Sequence, residues 1–256
     1  MTDSPQYLEK KRRLARLLTI FGRNPVIEAL QDTRLKIHRL HLADSNKPAP
    51  ILTQMRELAA NRGIEVAFHD KQALSRISKN AKQDQGVALD IECEHFQQVQ
   101  DLLDDLPKSF ELLAVDNVTN PQNLGMIIRS VCASPCLGLL LPERGCAKLD
   151  ALVIKASAGT LFKTRIFRCQ NLAQALHQLT QQQTAIYGLE ANAKQCLSDF
   201  TPPKRSVYVL GNETDGLSKE VKATCSHRLS IPMCNGVESL NVSIAASLLA
   251  FRSVLH

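Results

Sequence analysis

The 256-residue chain has no tryptophan, three tyrosines and eight phenylalanines, which disfavours nucleic-acid recognition built mainly on stacked aromatic side chains. It has no apolar run near the roughly 20 residues of a membrane helix. The longest stretch, Val242 to Phe251, is ten residues and includes two serines. The opening MTDSPQYLEKKRRLARLLTI starts acidic and polar and lacks a hydrophobic core before a small-residue cleavage site, so a secretory signal is not expected. None of the eight cysteines (Cys93, Cys132, Cys136, Cys146, Cys169, Cys196, Cys225 and Cys234) forms a CxxC pair, and no histidine cluster has zinc-finger spacing. Free thiols in a reducing cytoplasm are expected, with no metal site.

Two nucleotide fingerprints are also missing. There is no GxGxxG, and the GxxxxGK[ST] phosphate loop is matched at Gly211 to Ser218 except that Leu217 stands where the lysine belongs. A leucine cannot grip terminal phosphates, and Glu213 and Asp215 in the same loop would repel them. What remains is a glycine-bounded turn that brings backbone groups close to a neutral or cationic small ligand.

Hydrophobic residues at 44% and charged residues at 22% are ordinary globular values, and the length suits one large domain or two modest ones. The net charge of +6 is unevenly placed. Up to Arg39 there are nine Lys/Arg against four Asp/Glu; from Leu40 onward there are 22 against 21. Lys10, Lys11, Arg12, Arg13 and Arg16 fall within seven residues, a cluster that favours a polyanion in a salt-dependent way.

The pattern from residue 21 to 95 alternates short helices and strands: a helix from Asn24 to Leu30, then Lys36–Leu42, Ile51–Asn61, Ile64–Phe68, Lys71–Ile77 and Val87–Ile91. Residues 96–110 are polar and acidic and read as a linker. From 111 to 256 a βα series follows, with strands at Glu111–Asp116, Leu137–Leu141, Arg165–Phe167, Thr184–Leu189, Val207–Leu210 and Leu229–Ile231. Such alternation predicts a mostly parallel sheet covered on both faces, with ligands beyond the carboxyl ends of its strands. A last helix is expected from Ser239 to Leu255, with Leu240, Ile244, Leu248 and Phe251 on its apolar side and small residues that permit close packing.

Three loops sit where chemistry is expected. Asn120-Pro121-Gln122-Asn123-Leu124-Gly125 leads into a helix carrying Arg129, whose planar fork of donors suits a phosphate or ribose, though a surface arginine snorkelling from a helix side has the same sequence. Leu210-Gly211-Asn212-Glu213 follows a strand. Ile231-Pro232-Met233 leads to Glu238-Ser239-Leu240-Asn241, where Ser239 and Asn241 also read as helix caps.

Taken in order, N-P-x-N-x-G-x-x-x-R, L-G-N-E-x-x-G-L-S and I-P-M-x(4)-E-S-L-N-V-S-x-A resemble the three signature motifs of the SpoU (TrmH-like) RNA 2′-O-ribose methyltransferases of the SPOUT superfamily. Lys155-Ala156-Ser157-Ala158-Gly159 is similar to the S-A-G segment of that family. The resemblance is strongest over residues 111–256. Phe21-Gly22-Arg23-Asn24-Pro25-Val26 and Gln85-Gly86-Val87 resemble its accessory RNA-binding domain.

The resemblance implies an α/β fold: a C-terminal trefoil-knot methyltransferase domain (111–256) and a smaller N-terminal α/β substrate-binding domain (21–95), preceded by a basic extension (1–20). It implies S-adenosylmethionine held by Leu210, Gly211, Ile231, Met233 and Leu240, with Gly211 leaving space for the cofactor. Asn123, Arg129, Glu213, Ser239 and Asn241 would form the catalytic and substrate-positioning set. The implied partner is tRNA or rRNA, and the implied assembly a homodimer through the C-terminal domain. Two departures bear on substrate identity: Ala133-Ser134-Pro135-Cys136 replaces a common aromatic-Gly pair, and Asn120 replaces a frequent Asp. The alternative is an RNA-binding or ribosome-assembly factor that retains the fold without turnover.

Overall fold

The computed structural model describes Leu14 and residues 16–254, which divide into two compact units, 1–94 and 95–256. Lys10, Lys11, Arg12 and Arg13 of the basic cluster lie outside the described residues.

In the N-terminal unit the elements run β1 (Leu17–Phe21), α1 (Arg23–Gln31), β2 (Ile37–Ala43), α2 (Pro50–Asn61), β3 (Glu65–His69), α3 (Lys71–Ser78) and β4 (Val87–Glu92). The sheet order is β1-β4-β2-β3, antiparallel at its first two junctions and parallel at the third. Alternation along the strands buries Leu18, Ile20, Leu40, Leu42, Leu89 and Ile91. Val26 and Leu30 of α1 and Met55 and Ala59 of α2 are buried as well. Leu74 of α3 packs with Ala43 and Ala88 in a separate cluster. The expected basic extension of residues 1–20 needs correction here. Leu17 to Ile20 belong to β1, whose whole length pairs with β4.

The C-terminal unit opens with β5 (Phe96–Gln98) and α4 (Val99–Asp104), inside the stretch expected to be a linker. That expectation is corrected too: β5 joins the sheet parallel to β8 (Ile166–Cys169), and Phe96 is 1% exposed. Three residues carry too little periodicity to announce a strand; pairing with β8 makes it one. The remaining elements are β6 (Phe110–Val115), α5 (Pro121–Ala133), β7 (Leu139–Pro142), α6 (Ala151–Ala156), α7 (Leu172–Gln181), β9 (Ala185–Leu189), β10 (Gln195–Cys196), β11 (Arg205–Leu210), α8 (Lys219–Thr224), β12 (His227–Ser230) and α9 (Val242–Ala250).

All strands of this sheet pair in parallel, in the order β10-β12-β9-β11-β6-β7-β8-β5. From β6 the chain steps outward to β7 and β8, then crosses to build β9, β11 and β12 on the other side. The strand order therefore reverses between β6 and β11, and the loops leaving their carboxyl ends diverge there, the geometry that opens a ligand crevice. Leu102, Leu112, Leu172, Leu176, Val207 and Val221 form one core between this sheet and α4, α7 and α8. Helices α5, α6 and α9 pack together as a second group.

The last helix is shorter than expected. It begins at Val242, with Asn241 as its cap, and ends at Ala250, so Ser239 lies in the preceding loop. Its buried face is Val242, Ala245, Ala246 and Leu249, whereas Ile244 is 48% and Leu248 38% exposed.

Candidate active site at the carboxyl ends of the sheet

The site is assembled where β6 and β11 end. Asp116, directly after β6, is 6% exposed, and its backbone N–H donates to the Leu210 carbonyl (2.8 Å). Its Oδ2 accepts from the Ser218 N–H (2.7 Å), tying the first loop to the far side of the second. Asn212 Nδ2 donates to the Asn117 carbonyl (3.0 Å), a second tie. Residues 211–218 fold into a closed turn in which Asn212 and Gly216 exchange both backbone hydrogen bonds (3.0 and 2.9 Å). A Cβ on Gly211 would overlap the Gly216 backbone. Closure of the turn on itself therefore demands glycine at 211.

This turn presents Glu213 to the amino ends of two helices. Glu213 Oε1 accepts from Asn123 Nδ2 (2.7 Å), Asn241 Nδ2 (2.7 Å) and the Val242 N–H (3.2 Å). Asn241 Nδ2 also lies 3.1 Å from Asn123 Oδ1. Asn123 is 6% exposed in the first turn of α5, which Asn120 caps by accepting from the Gln122 N–H (2.8 Å). Asn241 Oδ1 accepts from the Ser243 N–H (2.9 Å), capping α9. The carboxylate therefore sits where an anion is favoured, at a helix amino terminus with uncompensated N–H groups.

Beside this cluster a cavity of about 490 Å³ opens at the carboxyl ends of β12, β9 and β11. Leu210, Gly211, Ile231, Met233 and Leu240, the residues expected to hold a cofactor, all line it, as do Glu213 and Ser239. Asn123 and Asn241 are not in its wall but hydrogen-bond to Glu213, which is. Arg129 does not line it: it projects from α5 into solvent, with no hydrogen bond or ion pair among the described residues. Four carboxylate residues, Glu190, Glu213, Asp215 and Glu238, share the cavity wall with one ammonium, Lys222. Glu190 Oε1 lies 3.2 Å from Lys222 Nζ and 3.5 Å from Arg228 Nε. Burial pushes the thiols of Cys136, Cys146 and Cys225 up to about 11 and that of Cys169 to about 12, so none of these four is a thiolate near neutral pH.

Sequence reading missed Asp116 and Glu190. Each directly follows a parallel strand, and that position was the available signal for both.

The C-terminal unit is thus a doubly wound parallel α/β sheet with an acidic, partly apolar cavity at its strand ends. The family follows from comparison with known proteins. The SpoU rRNA Methylase family matches residues 111–251, and the RNA 2′-O ribose methyltransferase substrate binding family matches residues 19–97. The chain is 34% identical over 230 residues to an uncharacterized tRNA/rRNA methyltransferase of Mycolicibacterium gilvum (strain PYR-GCK), covering 89% of this chain and 73% of the relative. It is 35% identical over 230 residues to a like-named protein of Mycobacterium leprae (strain TN), covering 89% and 74%. Its fold matches the AdoMet-bound rRNA methyltransferase from Sinorhizobium meliloti with a TM-score of 0.63 at 24% identity, over 97% of this chain and 90% of that one. It also matches the SpoU methyltransferase AviRb from Streptomyces viridochromogenes in complex with AdoMet, at 0.61 and 21%, over 94% and 91%. The chain belongs to the SpoU family of RNA methyltransferases.

Proposed function

We propose that the chain transfers the methyl group of S-adenosylmethionine to a ribose 2′-hydroxyl of tRNA or rRNA. The observation that carries this reading is the composition of the 490 Å³ cavity. Its volume lies in the range of about 300–1,000 Å³ usual for small-ligand pockets. Apolar Leu189, Leu210, Ile231 and Leu240 suit a purine ring, and four carboxylates against one lysine suit a ligand with a sulfonium, an ammonium and a single carboxylate. The AdoMet-bound state of the Sinorhizobium and Streptomyces proteins supports the same ligand.

When bound, the cofactor supplies a methyl group activated by its sulfonium. Leu210, Gly211, Ile231, Met233 and Leu240, which line the cavity, would hold the adenosyl part through backbone groups and apolar contact. Asn123, Glu213 and Asn241 clamp the 211–218 turn against α9 and keep the cavity wall in place, and Ser239 offers a hydroxyl at its rim. Arg129, with no hydrogen bond or ion pair among the described residues, would direct its guanidinium fork at the ribose hydroxyl and the adjacent phosphate. The hydroxyl proton would leave to that phosphate or to solvent. Orientation of the ribose hydroxyl by Arg129 would itself supply a large part of the rate enhancement.

The same reading includes a trefoil knot in the C-terminal unit, a homodimer through that unit and a cytoplasmic site of action. Exposed Met126, Ile244 and Leu248 on the adjoining helices α5 and α9 support the dimer. No helix among the described residues is long and apolar enough to cross a membrane.

The test is single-turnover transfer of labelled methyl to bulk bacterial rRNA and bulk tRNA at saturating cofactor. Arg129→Ala should slow transfer at least about a hundredfold, the scale of a lost positioning group, with cofactor affinity by calorimetry unchanged. Arg129→Lys should recover little, because an ammonium lacks the fork. Transfer at the wild-type rate by Arg129→Ala refutes its role. Wild-type protein that binds RNA but transfers nothing to either pool supports the assembly-factor alternative.

A further inference from the structure

Two motifs of the N-terminal unit, Phe21-Gly22-Arg23 and Gln85-Gly86-Val87, take no part in the site above, yet they meet in space. The Gly22 N–H donates to the Val87 carbonyl (3.1 Å) and the Arg23 N–H to Gln85 Oε1 (3.0 Å). Beside this junction lies a second cavity, of about 520 Å³, whose wall includes the cationic side chains Arg23, Lys71 and Lys82.

Its chemistry is that of an anion site. Arg23 Nε is shielded from solvent and has no acceptor among the described residues, an unpaired guanidinium donor that an anionic acceptor would satisfy. None of the three cations forms an ion pair among the described residues. The one carboxylate in the wall, Asp84, is 7% exposed and has both oxygens engaged. Ser78 Oγ donates to Oδ2 (2.8 Å) and the Gly86 N–H to Oδ1 (3.0 Å). Asp84 therefore fixes the 84–86 loop while its charge is partly spent on local donors. The loop is held from the other side by Asn46, whose Nδ2 donates to the Gly86 carbonyl (2.8 Å). Gly86 has φ of 74°, and a Cβ there would run into the Asn46 amide.

We propose that this notch is a phosphate subsite that receives a backbone phosphate of the RNA substrate. It rests on the reading that the substrate is RNA and adds to it the surface by which the N-terminal unit grips that RNA. No lining residue is aromatic, so the notch offers a free nucleotide no platform for its base. Lys71 and Lys82 are exposed at the wall, where a continuous polyanion can reach them.

The experiment uses the full chain and the paired variant Lys71→Ala/Lys82→Ala, with bulk bacterial rRNA and bulk tRNA as probes over a salt series. The expected result is at least tenfold weaker binding of the preferred RNA and a salt slope smaller by about one to two, the loss of one or two released counterions. The charge-matched pair Arg56→Ala/Arg76→Ala, on α2 and on α3 but outside the notch, should change affinity less than about twofold. Arg23→Lys, which keeps the charge and loses the fork, should weaken RNA binding without altering cofactor affinity. Equal RNA binding by the Lys71/Lys82 variant and wild type overturns the notch. So does micromolar binding of inorganic phosphate or adenosine monophosphate that RNA fails to displace, because the site then serves a free anion. Wild-type protein that takes the cofactor but binds neither RNA overturns the RNA reading itself, a failure distinct from that of the notch.

Discussion

Glu213 gathers Asn123, Asn241 and the Val242 N–H on one carboxylate oxygen. Asn123 is almost wholly buried, so loss of its acceptor strands an amide N–H away from water, and a hydrogen bond to a charged group contributes about 1.5–3 kcal/mol. Glu213→Ala should therefore lower stability by about 2 kcal/mol in urea denaturation, and Glu213→Gln by less, since its carbonyl oxygen still accepts. An alanine variant as stable as wild type would show that the three residues are not a clamp. In the N-terminal unit, Asp90 accepts from Thr19 (2.6 Å) and lies 3.1 Å from His41 Nε2, while His41 Nδ1 lies 2.9 Å from His69 Nε2. Burial would raise the Asp90 carboxyl, but hydrogen bonds from His41 and Thr19 hold it below the usual range. Burial, then the neighbouring His41, lowers the pKa of His69. The unfolded chain thus binds this proton more readily than the folded one. The His69 contribution is complete above about pH 6.5 and is lost as pH falls through the depressed folded value. His69→Gln should flatten that decline below about pH 6.5 in urea midpoints. A wild-type slope in the variant would place the titration elsewhere.

At the scale of elements, β1 separates two deletions that differ by seven residues. Removing residues 1–13 takes away four clustered cations and leaves β1 whole, so RNA affinity and its salt slope should fall while the melting temperature holds. Removing residues 1–20 also strips four of the five residues of β1, including buried Leu18 and Ile20, and exposes the edge of β4. The second deletion should unfold the N-terminal unit, read as loss of hydrogen-exchange protection along β4. Protection equal to wild type would mean that β1 is dispensable. The strand escaped sequence reading because Leu17 to Phe21 follow directly on the charged cluster and span only five residues. Their alternation becomes evident only once β4 pairs with them. By contrast β6, β9 and β11 were legible as apolar runs, because a strand buried on both faces has no polar side to interrupt it.

For the molecule as a whole, the consequential surface is the outer side of α5 and α9. These helices are joined by the Ser130–Ser247 hydroxyl pair (2.8 Å) and by Ser243 Oγ on Met126 Sδ (3.8 Å). They leave Met126, Ile244 and Leu248 exposed, an apolar surface that a second copy of the chain would cover. Arg129 leaves α5 with no partner among the described residues, so it is available to an active site completed across the proposed interface. Ile244→Glu/Leu248→Glu should yield a folded monomer by sedimentation, with native circular dichroism and methyl transfer reduced at least about a hundredfold. Full activity in a monomer would remove the dimer from the mechanism.

Local chemistry settled in advance which loops to examine. A glycine-bounded turn without its lysine, an Asn-rich helix entrance and a proline-stopped strand are features of neighbouring residues, and a βα alternation places such loops at one end of a parallel sheet. The grouping of Leu210, Gly211, Ile231, Met233 and Leu240 came from the resemblance of their motifs to the SpoU family, not from local chemistry alone. The partnerships within the site were beyond that reach. Glu213 meets Asn123 and Asn241 across separations of 90 and 28 residues, set by strand order rather than by spacing. The exposure of Ile244 and Leu248 likewise depends on which face of α9 packs inward: Val242, Ala245, Ala246 and Leu249 do, and Ile244 and Leu248 are left outside.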